Sequence, residues 1–282
     1  MRSLKKIIAL LLACVLAMSL AACGSDAPQG DNKIGQEDNN TPANAANEDY
    51  FEWDGDYICG LTAKGAKQTK LVIPARCVGF INSIFLDTEN KVEEISFESD
   101  ADVELNGVFT CAENLRKIEL PAGLTRIDMM EFSACTALVE ITIPAGVAEI
   151  GDMAFERATA LETVIFAGDT TFIGYAAFEN CKALKNIVLP DSVTEISSSA
   201  FNGCESLTEI NLPKSLSVLK DFAFMNSGVI CVNVPAELEF TYVDLSAFGR
   251  VSGTIDVYVT EGSWADLNFE DSFAGCCIKL YP

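Results

Sequence analysis

The 282-residue sequence predicts a solenoid, a mainly β stack of short coils of about 23 residues each, and three observations carry that reading. Phenylalanine recurs at Phe109, Phe132, Phe155, Phe178, Phe201 and Phe224, every step being 23 residues. Leucine keeps the same step at Leu115, Leu138, Leu161, Leu184 and Leu207. So does a pair of apolar residues two apart, at Ile118/Leu120, Ile141/Ile143, Val164/Phe166, Ile187/Leu189 and Ile210/Leu212. A unit repeated this strictly cannot bury its apolar side alone, and stacking on its neighbours does so.

One unit, "LKNIVLPDSVTEISSSAFNGCES" from Leu184 to Ser206, shows what each part does. Ile187 and Leu189 lie on the same side of a short strand, facing the core, and Val188 faces out. Pro190 ends the strand because it has no N–H to donate. Val193 and Ile196 bring the chain back across the core. Ala200, Phe201 and Cys204 form a short turn or 3₁₀-like segment on the opposite edge, with Ser197, Ser198 and Ser199 on its solvent side. Stacking coils at about 4.7–4.9 Å aligns Phe on Phe and Leu on Leu. Cys204 is a position of this ladder: it is Cys135, Ala158 and Cys181 in earlier coils and Ser227 in the next, so the site requires small size and not reactivity. Weaker pairs at Leu71/Ile73, Ile95/Phe97, Val232/Val234, Ile255/Val257 and Ile278/Leu280 extend the stack to about ten coils. The pattern departs at Ala167, where other coils carry proline, and its spacing shifts between Ala236 and Phe248.

The pattern L-x-x-I-x-L-P-x-x-V-T-x-I-x-x-x-A-F-x-x-C is similar to the repeat of the BspA-type leucine-rich-repeat surface proteins of bacteria, over nearly everything after residue 49. The resemblance implies a leucine-rich-repeat solenoid, with a parallel strand ladder on the concave face and short turns or 3₁₀ segments on the other. It also implies adhesion, with host matrix proteins or other cells as partners.

Taken in chain order, the N-terminus reads as an address. Arg2, Lys5 and Lys6 precede the apolar run "IIALLLACVLAMSLAA", which is too short for a comfortable span and reads, over residues 1–22, as an export signal. The run closes on "LAAC", Leu20 to Cys23, which resembles the lipobox of bacterial lipoproteins. By that resemblance Cys23 carries a lipid that holds the protein on the outer face of the membrane. The alternative is an ordinary signal cleaved after an Ala-x-Ala-like site, with Cys23 incidental. Residues 23–49 are rich in Asn, Asp, Gly and Pro and read as a tether with a reach of about 25–30 Å. Residues 50–69, beginning "YFEWDGDYICGLT", are expected to cap the front of a solenoid spanning residues 70–249. Residues 250–282 supply the last repeats and a rear cap, where Ser263 is an N-cap and Trp264, Leu267 and Phe273 suit a short helix over the end.

Composition removes several functions. There is no histidine, so Ser/His and Cys/His nucleophile pairs are excluded and the usual nitrogen ligand of zinc is missing. A net charge of −22, becoming −25 once Arg2, Lys5 and Lys6 leave with the signal, opposes nucleic-acid binding. A carboxylate hydrolase needs two acids across a cleft, and no insertion between coils forms one. No enzyme activity and no cofactor is therefore expected. Of the eleven cysteines, nine remain after Cys14 and Cys23 are set aside, and they are expected to be free and buried, with Cys276 and Cys277 as the exception. Glu98, Asp100, Asp102 and Glu104 alternate in "ESDADVELNG", but Leu105 stands where a calcium loop needs glycine, so a solvated loop is expected.

The residues left to meet a partner are those facing out from the strands: Lys117, Glu119, Glu140, Thr142, Thr163, Ile165, Asn186, Val188, Glu209 and Asn211. Ile165 and Val188 should be neighbours, an exposed apolar pair among polar residues. The function expected is binding of a protein or glycoprotein at the cell exterior through this concave face, by a monomer. The alternative is a passive envelope spacer with no specific ligand.

Overall fold

The computed structural model describes residues 48–86, 89–100, 102–249, 254–273 and 277–281. The export signal, Cys23 and most of the tether lie outside them, as does Cys276. From Glu48 onward the chain is a parallel β-solenoid of about nine turns with little helix.

Ten strands line one side: Lys70–Ile73, Glu94–Phe97, Lys117–Ile118, Glu140–Ile143, Thr163–Phe166, Asn186–Ile187, Glu209–Asn211, Cys231–Asn233, Ile255–Tyr258 and Cys277–Leu280. Each of the apolar pairs read from the sequence falls on or just beyond one of them, but the last is turned over. Ile278 and Leu280, expected to face the core, stand beside the outward Asp256 and Tyr258, because Cys277 and Lys279 take register with the inward Ile255 and Val257, and Ile278 is exposed. Pairing is parallel and in register, Val164 beside Ile141 and Ile187, so identical positions stack. The ladder consists of three separate sheets, interrupted after Lys117–Ile118 and again after Asn186–Ile187.

The return stretch holds a second parallel ladder that the sequence pattern does not announce. Two-residue strands Arg126–Ile127, Glu149–Ile150, Phe172–Ile173, Glu195–Ile196, Val218–Leu219 and Tyr242–Val243 form one six-stranded sheet. The Thr171, Thr194, Ser217 and Thr241 hydroxyls each donate to a carbonyl of the coil before. Ser197, expected on the solvent side, is instead buried: it follows Ile196 directly and its N–H donates to Ile173 O at 3.0 Å, which draws it against the preceding coil.

On the opposite edge each turn from Met130 to Asn226 carries two left-handed residues, for example Met130 (φ 59°) with Ala134 (φ 58°), and Met153 (φ 55°) with Arg157 (φ 61°). For non-glycine residues this conformation costs about 1–2 kcal/mol each. The return is a third set of inter-coil hydrogen bonds. Phe132 N–H donates to Ala154 O, Phe155 N–H to Ala177 O and Phe201 N–H to Ala223 O, each at 2.7 Å. Every one of these turn amides aims at the following coil.

Inside the turns the phenylalanines form one column. From Phe109 to Phe224 adjacent rings are 5.1–5.4 Å apart and within 10° of parallel. The column continues to Phe85 at the front and Phe248 at the back. Both lie 24 residues from their neighbours, which is why a search at 23 passes over them.

The ends are covered by different means. At the front, Phe51–Asp54 and Tyr57–Leu61 form an antiparallel hairpin whose second strand pairs with Gly79–Phe80 at the start of the return side. At the back, Trp264–Leu267 and Phe269–Ser272 are short helices, and the Ser263 hydroxyl accepts from Asp266 N–H. Phe273 and Trp264 pack edge-on against Phe240, and Phe273 also meets Phe248, closing the column. Leu267, read as a capping residue, is 76% exposed, and Phe269, two positions on, is buried in its stead.

Truncating Phe178 or Phe201 to alanine removes a fully buried ring with ring neighbours on both sides, and is expected to cost about 3–5 kcal/mol in denaturant unfolding. A loss below about 1 kcal/mol would show that the column is not a principal source of stability.

Candidate functional site

Along each strand alternate side chains point away from the core. All ten outward residues named from the sequence lie on the open strand face: Lys117, Glu119, Glu140, Thr142, Ile165, Asn186, Val188, Glu209 and Asn211 are exposed and Thr163 is half-buried. Thr163 stands between Glu140 and Asn186 in adjacent strands, and Ile165 lies beside Thr142. Several polar members are already paired. Lys117 Nζ meets Glu119 at 2.6 Å, a contact that raises the lysine pKa, and Asn233 bridges Glu209 and Asn211 at 2.7 and 2.8 Å. Two further apolar residues share this side, Val139 and Ile230, each just before its strand. The one-residue offset hides them from a reading that counts only alternate strand positions.

Ile165 (44% exposed) and Val188 (74%) line the same groove of about 690 Å³ with Phe166, Ala167, Pro190 and Asn211. A second groove of about 810 Å³ is lined by Lys117, Glu140, Thr142, Ala145 and Ala167. Ala167 therefore borders both. At the corresponding place in neighbouring coils stand Pro144 and Pro190, so the hollow is where a proline ring is missing. Gly168 completes it: a Cβ there would come within 2.3 Å of Ala145 O, so the backbone closes against the previous coil as only glycine allows.

The thiols are structural. Cys135, Cys181 and Cys204 are fully buried, and each Sγ donates to the carbonyl of a phenylalanine in the coil before, Phe109, Phe155 and Phe178, at 3.0–3.2 Å. Burial pushes all three thiols far above their ordinary pKa, so a thiolate nucleophile does not form there. Cys77, Cys111 and Cys231 are free thiols as well. The Ser198 hydroxyl donates to Asp221 at 2.5 Å, one coil on, a bond that ties neighbouring coils together.

The acids of residues 98–104 do not converge. Glu98 accepts from Ala75 N–H, Asp102 from the Thr125 hydroxyl and Glu104 from Tyr57, each on a different neighbour. Among the described residues no three acidic or cysteine side chains are grouped to hold a metal.

The BspA type leucine-rich-repeat region matches the sequence in six copies, over residues 63–185 and 171–280. The chain belongs to that family. A leucine-rich-repeat protein from Bacteroides ovatus shares the fold, with 22% identity, 79% of this chain and 66% of that one covered, and a TM-score of 0.54. A Treponema pallidum leucine-rich-repeat protein aligns with 25% identity over 68% of this chain and 85% of its own, at a TM-score of 0.49. A leucine-rich cell surface protein of Faecalibacterium prausnitzii is 18% identical over 84% and 87% of the two chains, at a TM-score of 0.36. No curated protein matches at the sequence level. BspA-type leucine-rich repeats form a typically non-enzymatic scaffold, and membership suggests a protein-binding or surface role.

Within the BspA-type stack the cysteines should divide by burial. Cys231, half-buried on the strand side, is expected to react with iodoacetamide at pH 8 in the native protein, while Cys135, Cys181 and Cys204 react only after denaturation. Mass mapping of the labelled sites distinguishes these outcomes.

Proposed function

We propose that this protein is exported, held to the outer face of the membrane by a lipid on Cys23, and binds a protein or glycoprotein at the cell exterior through its strand face. The observation that carries the reading is the hollow at Ala167. A repeat that places polar residues on nearly every outward position here exposes Ile165 and Val188 together, beside a gap where the proline ring is missing. Apolar side chains that line a concavity and are rimmed by polar groups are the usual anchors of an interface. Membership of the BspA-type family supports a binding role, and adhesion is the form of binding proposed.

Purified protein carrying Ile165→Glu with Val188→Glu should keep its far-ultraviolet spectrum and melting behaviour. Against a panel of matrix glycoproteins, mucin and bacterial surface polymers, it should lose roughly tenfold or more in affinity for whichever ligand the wild type binds. Binding by neither form would favour the passive spacer. Separately, Cys23→Ala should abolish incorporation of labelled palmitate and release the protein from the membrane fraction, and retention of both label and anchoring would refute the lipid assignment.

A further inference from the structure

Glu131 occupies a position that is alanine in the regular coils that follow: Ala154, Ala177, Ala200 and Ala223 each precede a column phenylalanine, as Glu131 precedes Phe132. Its side chain is fully buried. One carboxylate oxygen accepts from Gly107 N–H at 2.7 Å and the other from Phe109 N–H at 3.3 Å. In later coils the corresponding amides, such as Met153 and Phe155, donate instead to backbone carbonyls of the following turn. The carboxylate thus takes the place of two inter-coil backbone bonds.

The same junction is open on both other sides. Strands Lys117–Ile118 and Glu140–Ile143 belong to different sheets, and the flanking bond from Val139 N–H to Arg116 O is 3.5 Å long. The second ladder begins at Arg126–Ile127, while Glu104 one coil earlier bridges only backward, to Gly79. The other junctions between Phe85 and Phe248 fail at one ladder at most. After Asn186–Ile187 the strand sheet is also interrupted, but there Phe172 still pairs with Glu195 and Phe178 N–H still donates to Ala200 O. Here the Phe109 and Phe132 rings stand 5.4 Å apart, the widest step between Phe109 and Phe248. What remains is ring contact, the Cys111 N–H to Ser133 O bond at 2.7 Å, the Thr110 hydroxyl on Met130 O, the Cys135 thiol on Phe109 O, and two long surface bonds, Thr125 hydroxyl to Asp102 and Ala122 N–H to Asp100, at 3.4 and 3.5 Å.

We propose that this junction is a hinge in the solenoid, closed while Glu131 is protonated and opening as it ionises, so that the coils up to Phe109 move against those from Phe132 onward. Burial pushes the Glu131 carboxyl up to about 7, against the Gly107, Phe109 and Val108 amides, which favour its charge. The charged and titratable groups around it add no cation in contact: Asp128 on its own coil raises it further, Cys135 lies behind it, and Cys111 is on the facing turn. Arg157 and Glu156, one coil on, act on Cys111 with opposite sign. The closed state holds the proton more tightly than the open one. Closure is therefore strongest at low pH and weakens as pH rises from about 4.5 to about 7.

Hydrogen–deuterium exchange on the full chain, corrected for intrinsic rates, tests this at pH 6 and pH 8. Gly107, Phe109 and Cys111 should exchange ahead of Met153, Phe155 and Arg157, and their opening should rise roughly tenfold between the two pH values, as linkage over that window requires. In Glu131→Gln, a neutral side chain of the same shape, the opening should not change with pH. Equal protection at the two junctions in the wild type overturns the hinge even if the variant fails to fold. A pH response that survives Glu131→Gln overturns the assignment to this carboxyl.

Discussion

Everything in this protein rests on one spacing. Two flat rings stack well only at a separation of a few ångströms, and two parallel strands bond at very nearly that separation, so a coil that satisfies its phenylalanine also satisfies its backbone. The column from Phe85 to Phe248 and the ladders beside it thus enforce each other. A single coil has no folded state of its own, and what each turn loses in left-handed backbone strain it recovers in bonds to the next.

Much of this was legible in the sequence, because a periodic structure repeats its errors as faithfully as its rules. The ten strands follow from pairs of apolar residues two apart, and parity gives the buried side of all but the last, where Ile278 and Leu280 align with the outward Asp256 and Tyr258. The second ladder was not legible: strands such as Glu149–Ile150 and Glu195–Ile196 contribute one inward residue each, and one residue carries no alternation. The left-handed turns were hidden for another reason. Met130, Met153 and Phe222 hold conformations usually marked by glycine or asparagine, so local preference gave no signal and the inter-coil bonds decide. Phe85 and Phe248 escaped because a one-residue insertion between coils leaves the stacking intact while breaking the count.

The candidate site divides in the same way. Which residues face outward could be read directly, and the ten named do so. The hollow between them could not, since it depends on two coils at once: the ring absent at Ala167 matters only because Gly168 lets that coil settle onto Ala145. Departures from a repeat consensus are where such a scaffold acquires features that its neighbours lack, and Ala167 and Glu131 are both departures of one residue. One opens a surface and the other interrupts the backbone bonding beneath it.

The turn amides that bond between coils all aim toward the following coil, which gives the stack a chemical direction. Carbonyls are left over at its front and N–H groups at its back. The back is closed by an acid, for the Asp244 carboxylate accepts the Ser246 N–H and hydroxyl, and those bonds hold it below the usual carboxylate range. Glu131 performs the same service for Gly107 and Phe109, far from either terminus. On this edge the first coils thus have an internal terminus of their own. Removing whole coils between Phe155 and Phe224 would leave that terminus untouched.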